Sequence, residues 1–197
     1  MKPRLTAILL AAGASSRMGR PKALLEYRGE CFLDRQIALY AALGARVICV
    51  LGPDAGPVAA SLRRASEAVL VLNPAAEAGQ LSSLQCGLRA LGADSDAFFF
   101  TPADSPGVRP ATLQALLASF DPRAADFFQP QYHGRHGHPV LAAAPMAPAF
   151  LALPGHLSAR ELVRRSRRCF IEVPDPFVLL DVDTPEAYQK LLEGHWE

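Results

Sequence analysis

Short apolar runs alternate with amphipathic stretches along the first two thirds of the chain. The apolar runs predict strands at 5–10, 47–51, 69–72 and 97–100, and the stretches with helical spacing predict helices at 32–43, 58–64, 81–91 and 111–117. Such alternation is typical of α/β proteins, in which helices cover both faces of a mainly parallel sheet. We therefore expect a three-layer α/β/α architecture around a mixed, mainly parallel sheet.

The remaining third is less regular. It predicts strands at 126–132, 139–142 and 170–173, a further apolar strand at 178–183, and helices near 158–167 and from Pro185 onward. Thr184 and Pro185 suit the start of the last helix, since threonine can cap and proline fits the first turn. We find no internal repeat and no linker, so residues 1–197 are expected to form a single domain.

Composition excludes several classes of protein. A formal net charge of +1, with dispersed charges, provides no field for nucleic acid or an acidic membrane. The N-terminal apolar stretch is shorter than a membrane span and leads into a glycine-rich loop. The four cysteines lie far apart in mostly apolar stretches, which favours small buried side chains in a reducing compartment over metal ligands or disulfides. A cytoplasmic protein is expected.

A glycine-rich, basic loop follows the first apolar run, from Leu10 to Lys22. Small residues let the backbone approach a ligand, loop N–H groups can bind phosphate oxygens, and Arg17 and Lys22 supply positive charge. The glycine spacing matches neither a Walker loop nor a dinucleotide fingerprint. Pro21 disfavours a helix straight out of the loop, so we expect extended backbone at Lys22. The loop predicts a nucleoside triphosphate site.

Gly13, Asn73 and Asp104 each follow a predicted strand, and ligands bind outside the carboxyl ends of such strands. Asp104 stands between two prolines that would hold its carboxylate rigidly, as a Mg²⁺ ligand requires, although an Asx-turn is the alternative. Asp181 and Asp183 share a face by side-chain alternation, and a helix cap is the alternative for Asp183.

Three further groups have both a functional and a structural interpretation. Ser82 and Ser83 open a helix and could serve as N-caps. His133, His136 and His138 lack a cysteine or carboxylate at ligand spacing, which disfavours a metal site, and His138 could be a buried, hydrogen-bonded side chain. Arg160, Arg164 and Arg167 form a helical stripe that is commonly a solvated face.

The loop resembles the signature L-A-A-G-x-[SG]-x-R-[MF]-G-x-x-K of nucleotidyltransferases with a GT-A-like fold. Segments 73–74, 79–88, 101–106, 134–140 and 181–186 resemble, in the same order, later motifs of the molybdenum cofactor cytidylyltransferase-like proteins. The resemblance implies a Mg²⁺-dependent enzyme that transfers CMP from CTP to the terminal phosphate of molybdenum-molybdopterin, releasing pyrophosphate. It also implies transient contact with a molybdenum oxidoreductase.

The resemblance assigns roles to individual residues. Nucleotide binding falls to the N-terminal half, with Leu10, Ala11, Ala12, Gly13, Arg17, Lys22, Asn73, Gly79 and Ser83. Arg17, Lys22 and Asp104 are the implied catalytic residues, and Asp104 and Asp183 the implied Mg²⁺ ligands, with Asp181 in support. Acceptor binding falls to the C-terminal part, with Gly137, His138 and Arg160.

The chain departs from the family in one motif at the acceptor side. Where family members have G-D-x-G-A-R, this chain has His156 in place of the aspartate and Ser158 in place of the second glycine. Two alternatives therefore stay open. One is a transferase acting on a sugar phosphate or methylerythritol phosphate, and the other is a non-catalytic protein that binds the molybdenum cofactor for delivery. Ala12 favours CTP over GTP, because related guanylyltransferases have glycine at this place.

Overall fold

A computed structural model describes residues 3–13 and 18–194. The strands are β1 (Leu5–Ala11), β2 (Glu26–Tyr27), β3 (Glu30–Cys31), β4 (Arg46–Leu51), β5 (Ala68–Leu72), β6 (Ala97–Pro102), β7 (Phe127–Tyr132), β8 (Arg135–His136), β9 (Val140–Ala143) and β10 (Arg168–Glu172). The α-helices are α1 (Phe32–Ala42), α2 (Ala55–Ser61), α3 (Gln80–Arg89), α4 (Pro110–Ala118), α5 (Ala147–Leu151), α6 (Ala159–Arg165) and α7 (Pro185–Leu192). Arg17 lies outside the described residues.

The main sheet has the strand order β10-β7-β9-β6-β1-β4-β5, with β8 paired to β7, while β2 and β3 form a separate hairpin. β1 pairs in parallel with β4 and β6, β4 with β5, and β7 with β10. β9 runs antiparallel between β6 and β7. The expected mixed, mainly parallel sheet is confirmed, and the carboxyl ends of β1, β4 and β6 meet at one edge.

Each face of the sheet carries its own apolar core. Ala7 and Leu9 of β1 pack in the core under α1, α2 and α4, whereas Ile8 and Leu10 pack in the core under α3, α5 and α6. This alternation follows from the period of two in a strand, and both sets are buried because helices cover both faces. The three-layer α/β/α expectation is confirmed.

Two local predictions were wrong. The predicted strand at 178–183 is instead a 3₁₀ turn at Pro176–Leu179 followed by irregular backbone. Its backbone groups pair with loops: the His138 N–H donates to the Val178 carbonyl (2.9 Å) and the Val182 N–H to the Asp104 carbonyl (3.2 Å).

The expectation of extended backbone at Lys22 was also wrong. Pro21 has extended backbone, and a 3₁₀ turn begins at Lys22. A proline fixes only its own φ and disfavours helix in the residue before it.

None of the helices within residues 3–13 and 18–194 has the length and apolarity that crossing a bilayer requires.

Candidate active site

A cavity of about 210 Å³ opens at the carboxyl ends of β1 and β6. It is lined by the predicted residues Leu10, Ala11, Ala12, Gly13, Lys22, Gly79, Ser83 and Asp104, together with Pro21, Ala23, Ala76, Gln80, Pro102 and Ala103. Segments nearly a hundred residues apart in sequence therefore share one wall, because their strands are neighbours in the sheet.

Asn73 does not line this cavity. It is buried, and its Nδ2 donates hydrogen bonds to Oγ of Ser82 (2.9 Å) and of Ser83 (3.1 Å), while its Oδ1 accepts from the Ala75 N–H (3.1 Å). Asn73 thus holds Ser83 in place at the cavity wall. Neither serine caps α3, since the N-cap is Gly79, whose φ of 96° is one that glycine adopts without strain.

Gly52, which the sequence analysis did not single out, supports the loop from behind. A Cβ on Gly52 would lie 2.6 Å from the Ala12 carbonyl oxygen, closer than real contacts allow. The signal in the sequence is a glycine directly after a buried strand, which marks close approach of two backbones.

Three carboxylates form an acidic cluster next to the cavity. Asp104, Asp181 and Asp183 each place an oxygen within 4.8 Å of the others. Two hydrogen bonds fasten the segments together, from Ser105 Oγ to the Leu180 carbonyl (2.8 Å) and from the Val182 N–H to the Asp104 carbonyl (3.2 Å). Asp183 is not the cap of α7, because Thr184 takes that role by accepting from the Ala187 N–H (3.2 Å).

Lys22 lies against the acidic cluster. Its Nζ contacts Oδ1 of Asp183 and is 3.3 Å from Oδ2 of Asp104. Burial on its own would lower the pKa of Lys22, but the hydrogen bonds and charges of Asp183 and Asp104 outweigh it and raise the pKa. Partial burial, followed by the charges of Asp104 and Asp183, raises the pKa of Asp181 to about 7. The single ammonium of Lys22 faces three carboxyl groups, so the cluster has more acidic groups than positive charges. Carboxylate oxygens are hard donors, which suit a divalent cation.

A second cavity, of about 630 Å³, is lined by all three carboxylates of the acidic cluster. Its wall includes the predicted acceptor residues Gly137, His138 and Arg160, with Arg135 from the same turn. Asp104 and Gln80 line both this cavity and the first one. Gln80 was missed by the sequence analysis, and its signal is its place as the first residue of a helix after Gly79.

The histidines do not form a metal site. Among the described residues, the group with metal-ligand spacing is the acidic cluster. His136 lies tilted against Phe170 with ring centroids 5.0 Å apart, and His133 meets Tyr132 edge to face at 4.2 Å. Burial lowers the pKa of His138, although the Asp104 charge and the Phe100 carbonyl oppose the shift, so its imidazole is neutral at pH 7.

Gly137 allows the turn before β9 to touch the segment that carries Asp181 and Asp183. A Cβ on Gly137 would overlap the Val178 carbonyl oxygen, which is backbone and cannot move aside. We expect Gly137→Ala to lower the free energy of unfolding by about 3 kcal/mol, the upper end for an overpacked site, as measured by urea denaturation. Gly155→Ala is the matched control, because a Cβ there meets nothing within 4 Å. Equal stabilities for the two variants would contradict this account.

A glycine-rich loop and an acidic cluster at the carboxyl edge of a mainly parallel sheet define a nucleotide-binding α/β protein. Residues 7–169 match the family described as MobA-like NTP transferase domain, and the chain belongs to this family of nucleotidyltransferases.

Relatives in the family carry different names. The chain is 25% identical over 190 residues to the molybdenum cofactor cytidylyltransferase of Escherichia coli, covering 96% of each chain. It is 32% identical to the nicotine blue oxidoreductase of Paenarthrobacter nicotinovorans, covering 96% of this chain and 97% of the relative. It is 26% identical to a molybdenum cofactor guanylyltransferase of Sinorhizobium fredii, covering 96% and 91%.

The fold is shared with solved structures. Rv0371c from Mycobacterium tuberculosis superposes with a TM-score of 0.81 at 27% identity, covering 98% of this chain and 100% of that one. A structure of Rv0371c in complex with manganese superposes with a TM-score of 0.78 at 26% identity, covering 96% and 98%.

Proposed function

We propose that the protein transfers CMP from CTP to the terminal phosphate of molybdenum-molybdopterin and releases pyrophosphate. The observation that carries the proposal is the position of Asp104, which lines both the cavity of the glycine-rich loop and the cavity of the predicted acceptor residues. A carboxylate shared by two substrate cavities is suited to the point where the substrates react. The similarity to the cytidylyltransferase of Escherichia coli supports this acceptor.

The proposed chemistry needs no general base. A phosphate acceptor is already anionic at neutral pH, so the enzyme has to bring two anions together in line and screen their charge. Lys22 lines the nucleotide cavity and provides one positive charge; Arg17 is proposed as a second. The first residues of α3, Gln80 among them, border the same cavity, so backbone N–H groups at a helix N-terminus add to the positive potential there.

We propose Mg²⁺ as the cofactor, with Asp104 and Asp183 as ligands and Asp181 in support. The three carboxylates fit a hard cation by donor type and spacing, and the related Rv0371c has been solved with manganese. A bound divalent ion would neutralise charge on the triphosphate. The product is a cofactor, and we propose that a molybdenum oxidoreductase receives it by transient contact.

CTP is expected to outcompete GTP. Ala12 lines the nucleotide cavity, and related guanylyltransferases have glycine at this place. We propose that the Cβ of Ala12 leaves less room for a purine. A size effect of this kind contributes about 1–3 kcal/mol, so Ser83 and the Gly79 turn are proposed to add hydrogen bonds to the cytosine edge. Ala12→Gly should therefore relax the preference without reversing it. The measurement is turnover with CTP and GTP at equal concentration, and a wild type that does not discriminate would remove the cytidylyltransferase proposal.

The acceptor is tested by pyrophosphate release from CTP with purified molybdenum-molybdopterin, compared with a sugar phosphate and methylerythritol phosphate. We expect release with molybdenum-molybdopterin only. Release with another phosphate would assign the chain to a different transferase. Tight binding of the molybdenum cofactor without any release would indicate a delivery protein.

A further inference from the structure

The loop that carries Asp104, residues 102–106, takes hydrogen bonds from other parts of the fold. Pro102 and Pro106 at its two ends have no N–H, so the loop has few donors for its own carbonyl groups. Ala103, Ser105 and Pro106 are nevertheless buried, and buried backbone groups need partners. The position of the Asp104 carboxylate therefore depends on the elements that supply those partners.

Helix α1 supplies two of these hydrogen bonds from one side chain. The Nε2 of Gln36 donates to the Pro102 carbonyl (2.9 Å) and to the Ser105 carbonyl (3.1 Å). Because carbonyl oxygens only accept hydrogen bonds, the amide nitrogen of Gln36 has to face the loop. One amide group thus bridges the backbone before Asp104 and the backbone directly after it.

A glutamine at this place is unfavourable for the stability of the fold alone. Gln36 is only 2% exposed and lies on the buried side of α1 with Leu33, Ile37 and Tyr40. Its Oε1 is buried and has no hydrogen-bond partner among the described residues. An unpaired buried acceptor lowers stability, so packing does not account for an amide here. What the amide provides is a fixed distance between α1 and the two carbonyls that flank Asp104.

The hydrogen bonds continue from this loop to the segment with the other two carboxylates. Ser105, whose carbonyl Gln36 binds, donates from its own Oγ to the Leu180 carbonyl (2.8 Å), directly before Asp181. Both side chains are buried, where a hydrogen bond is electrostatically stronger than in water. Gln36 and Ser105 therefore connect α1 to both segments of the acidic cluster, although Gln36 lines neither the nucleotide cavity nor the cavity beside the cluster.

On the basis of the divalent cation proposed above, we propose that Gln36 is a positioning residue for the metal site. It acts through the backbone, because its two hydrogen bonds fix the direction of the Asp104 carboxylate. Ser105 transmits the same constraint to the segment of Asp181 and Asp183. Groups that orient metal ligands from behind typically contribute about 10–100-fold to metal affinity.

The first test replaces the amide and follows metal binding. In Gln36→Leu, which keeps most of the side-chain volume, we expect the Kd for Mn²⁺, measured by electron paramagnetic resonance without nucleotide, to rise about tenfold or more. Gln85→Leu on α3 is the matched control. Gln85 also donates from Nε2 to two carbonyls, those of Phe150 and Leu153 (3.0 Å each), and none of these residues lines the cavity beside the acidic cluster. The same Mn²⁺ affinity in both variants would overturn the proposal.

Turnover provides a readout that a loss of stability would not produce. In Gln36→Leu the Mg²⁺ concentration for half-maximal pyrophosphate release should rise by the same factor as the Kd for Mn²⁺. Saturating Mg²⁺ should restore kcat to within about threefold of the wild type, because the ligands themselves are still present. A lowered kcat with unchanged Mg²⁺ dependence would contradict a positioning role.

The second test removes one oxygen and so keeps the fold even if Gln36→Leu does not. Ser105→Ala loses the hydrogen bond to the Leu180 carbonyl, and the Kd for Mn²⁺ should rise about threefold, as expected for one hydrogen bond. Ser166→Ala is the control, because its Oγ likewise donates to a carbonyl, that of Leu162 (2.9 Å), in a different part of the fold. Equal affinities in the two serine variants would show that the cluster is not held through Ser105.

The combined outcomes separate the positioning role from the proposed function. If the Gln36 and Ser105 variants weaken Mn²⁺ binding but the wild type releases no pyrophosphate from CTP with any phosphorylated acceptor, the positioning role stands and the proposed transfer fails. If the wild type turns over with Mg²⁺ but both variants bind the metal as their controls do, the positioning role fails and the proposed function stands. A wild type that binds no divalent cation contradicts both the positioning role and the proposed cofactor.

Discussion

Lys22→Ala is expected to lower kcat by about 10²–10³-fold, the usual effect of removing one preorganised electrostatic group from an active site. The ammonium lies at the junction of the nucleotide cavity and the acidic cluster, where negative charge would develop on the triphosphate. The fold should survive, because Lys22 is outside the apolar cores and its backbone opens a short 3₁₀ turn that alanine can also form. Steady-state pyrophosphate release and thermal unfolding measure the two effects separately.

The same variant should bind a divalent cation more tightly when no nucleotide is present. In the wild type the Lys22 ammonium contacts carboxylates of both Asp104 and Asp183, so a metal ion has to displace it. Titration with Mn²⁺, followed by electron paramagnetic resonance, should give a lower Kd for Lys22→Ala than for the wild type. Lys190→Ala, an exposed change on α7, is the control and should alter neither kcat nor Kd. Normal turnover in Lys22→Ala, or Mn²⁺ binding weaker than in the wild type, would contradict this role.

The buried strands could be predicted because their signal is local. β1, β4 and β6 are continuous apolar runs, and a run that is buried on both faces can be recognised without knowledge of its neighbours. The edge where they end could be predicted as well, since parallel strands bring their carboxyl ends together. This geometry predicts Gly13, Asn73 and Asp104 at one edge; Gly13 and Asp104 line the cavity there, whereas Asn73 is buried behind Ser83.

The acceptor side could not be predicted to the same depth, because it depends on contacts between segments distant in sequence. The segment at 178–183 has the composition of a strand, but the turn at Gly137 and the loop at Asp104 take its backbone hydrogen bonds. Gln129 lies in β7, where it has the sequence pattern of an ordinary strand residue; only its burial in the fold shows that its Oε1 has no hydrogen-bond partner among the described residues. The contact between Lys22 and Asp183 spans 161 positions and has no local signal.

Asp104→Ala and Asp183→Ala are each expected to reduce metal-dependent turnover by about 10³-fold, because a bound cation stabilises transition-state charge by several kcal/mol and each tenfold in rate corresponds to about 1.4 kcal/mol. Asp181→Ala should cost less. Asp181 is the exposed member of the cluster, and we propose it as support for the metal site rather than as a direct ligand. The rates are compared over a range of Mg²⁺ concentrations, with CTP and the acceptor saturating.

The double variant Asp104→Ala/Asp183→Ala separates a shared metal site from two independent roles. Their side-chain oxygens lie within 4.8 Å of each other, and two ligands of one ion fail as a unit, so the double variant should be little slower than either single variant. Independent roles would instead multiply the two losses to about 10⁶-fold. The exposed Asp54→Asn at the start of α2 is a control that should leave Mg²⁺ dependence unchanged. Full activity with ordinary Mg²⁺ dependence in Asp183→Ala would remove that residue from the metal site. Because Thr184 already caps α7, we would then assign Asp183 to positioning the Lys22 ammonium, which it contacts.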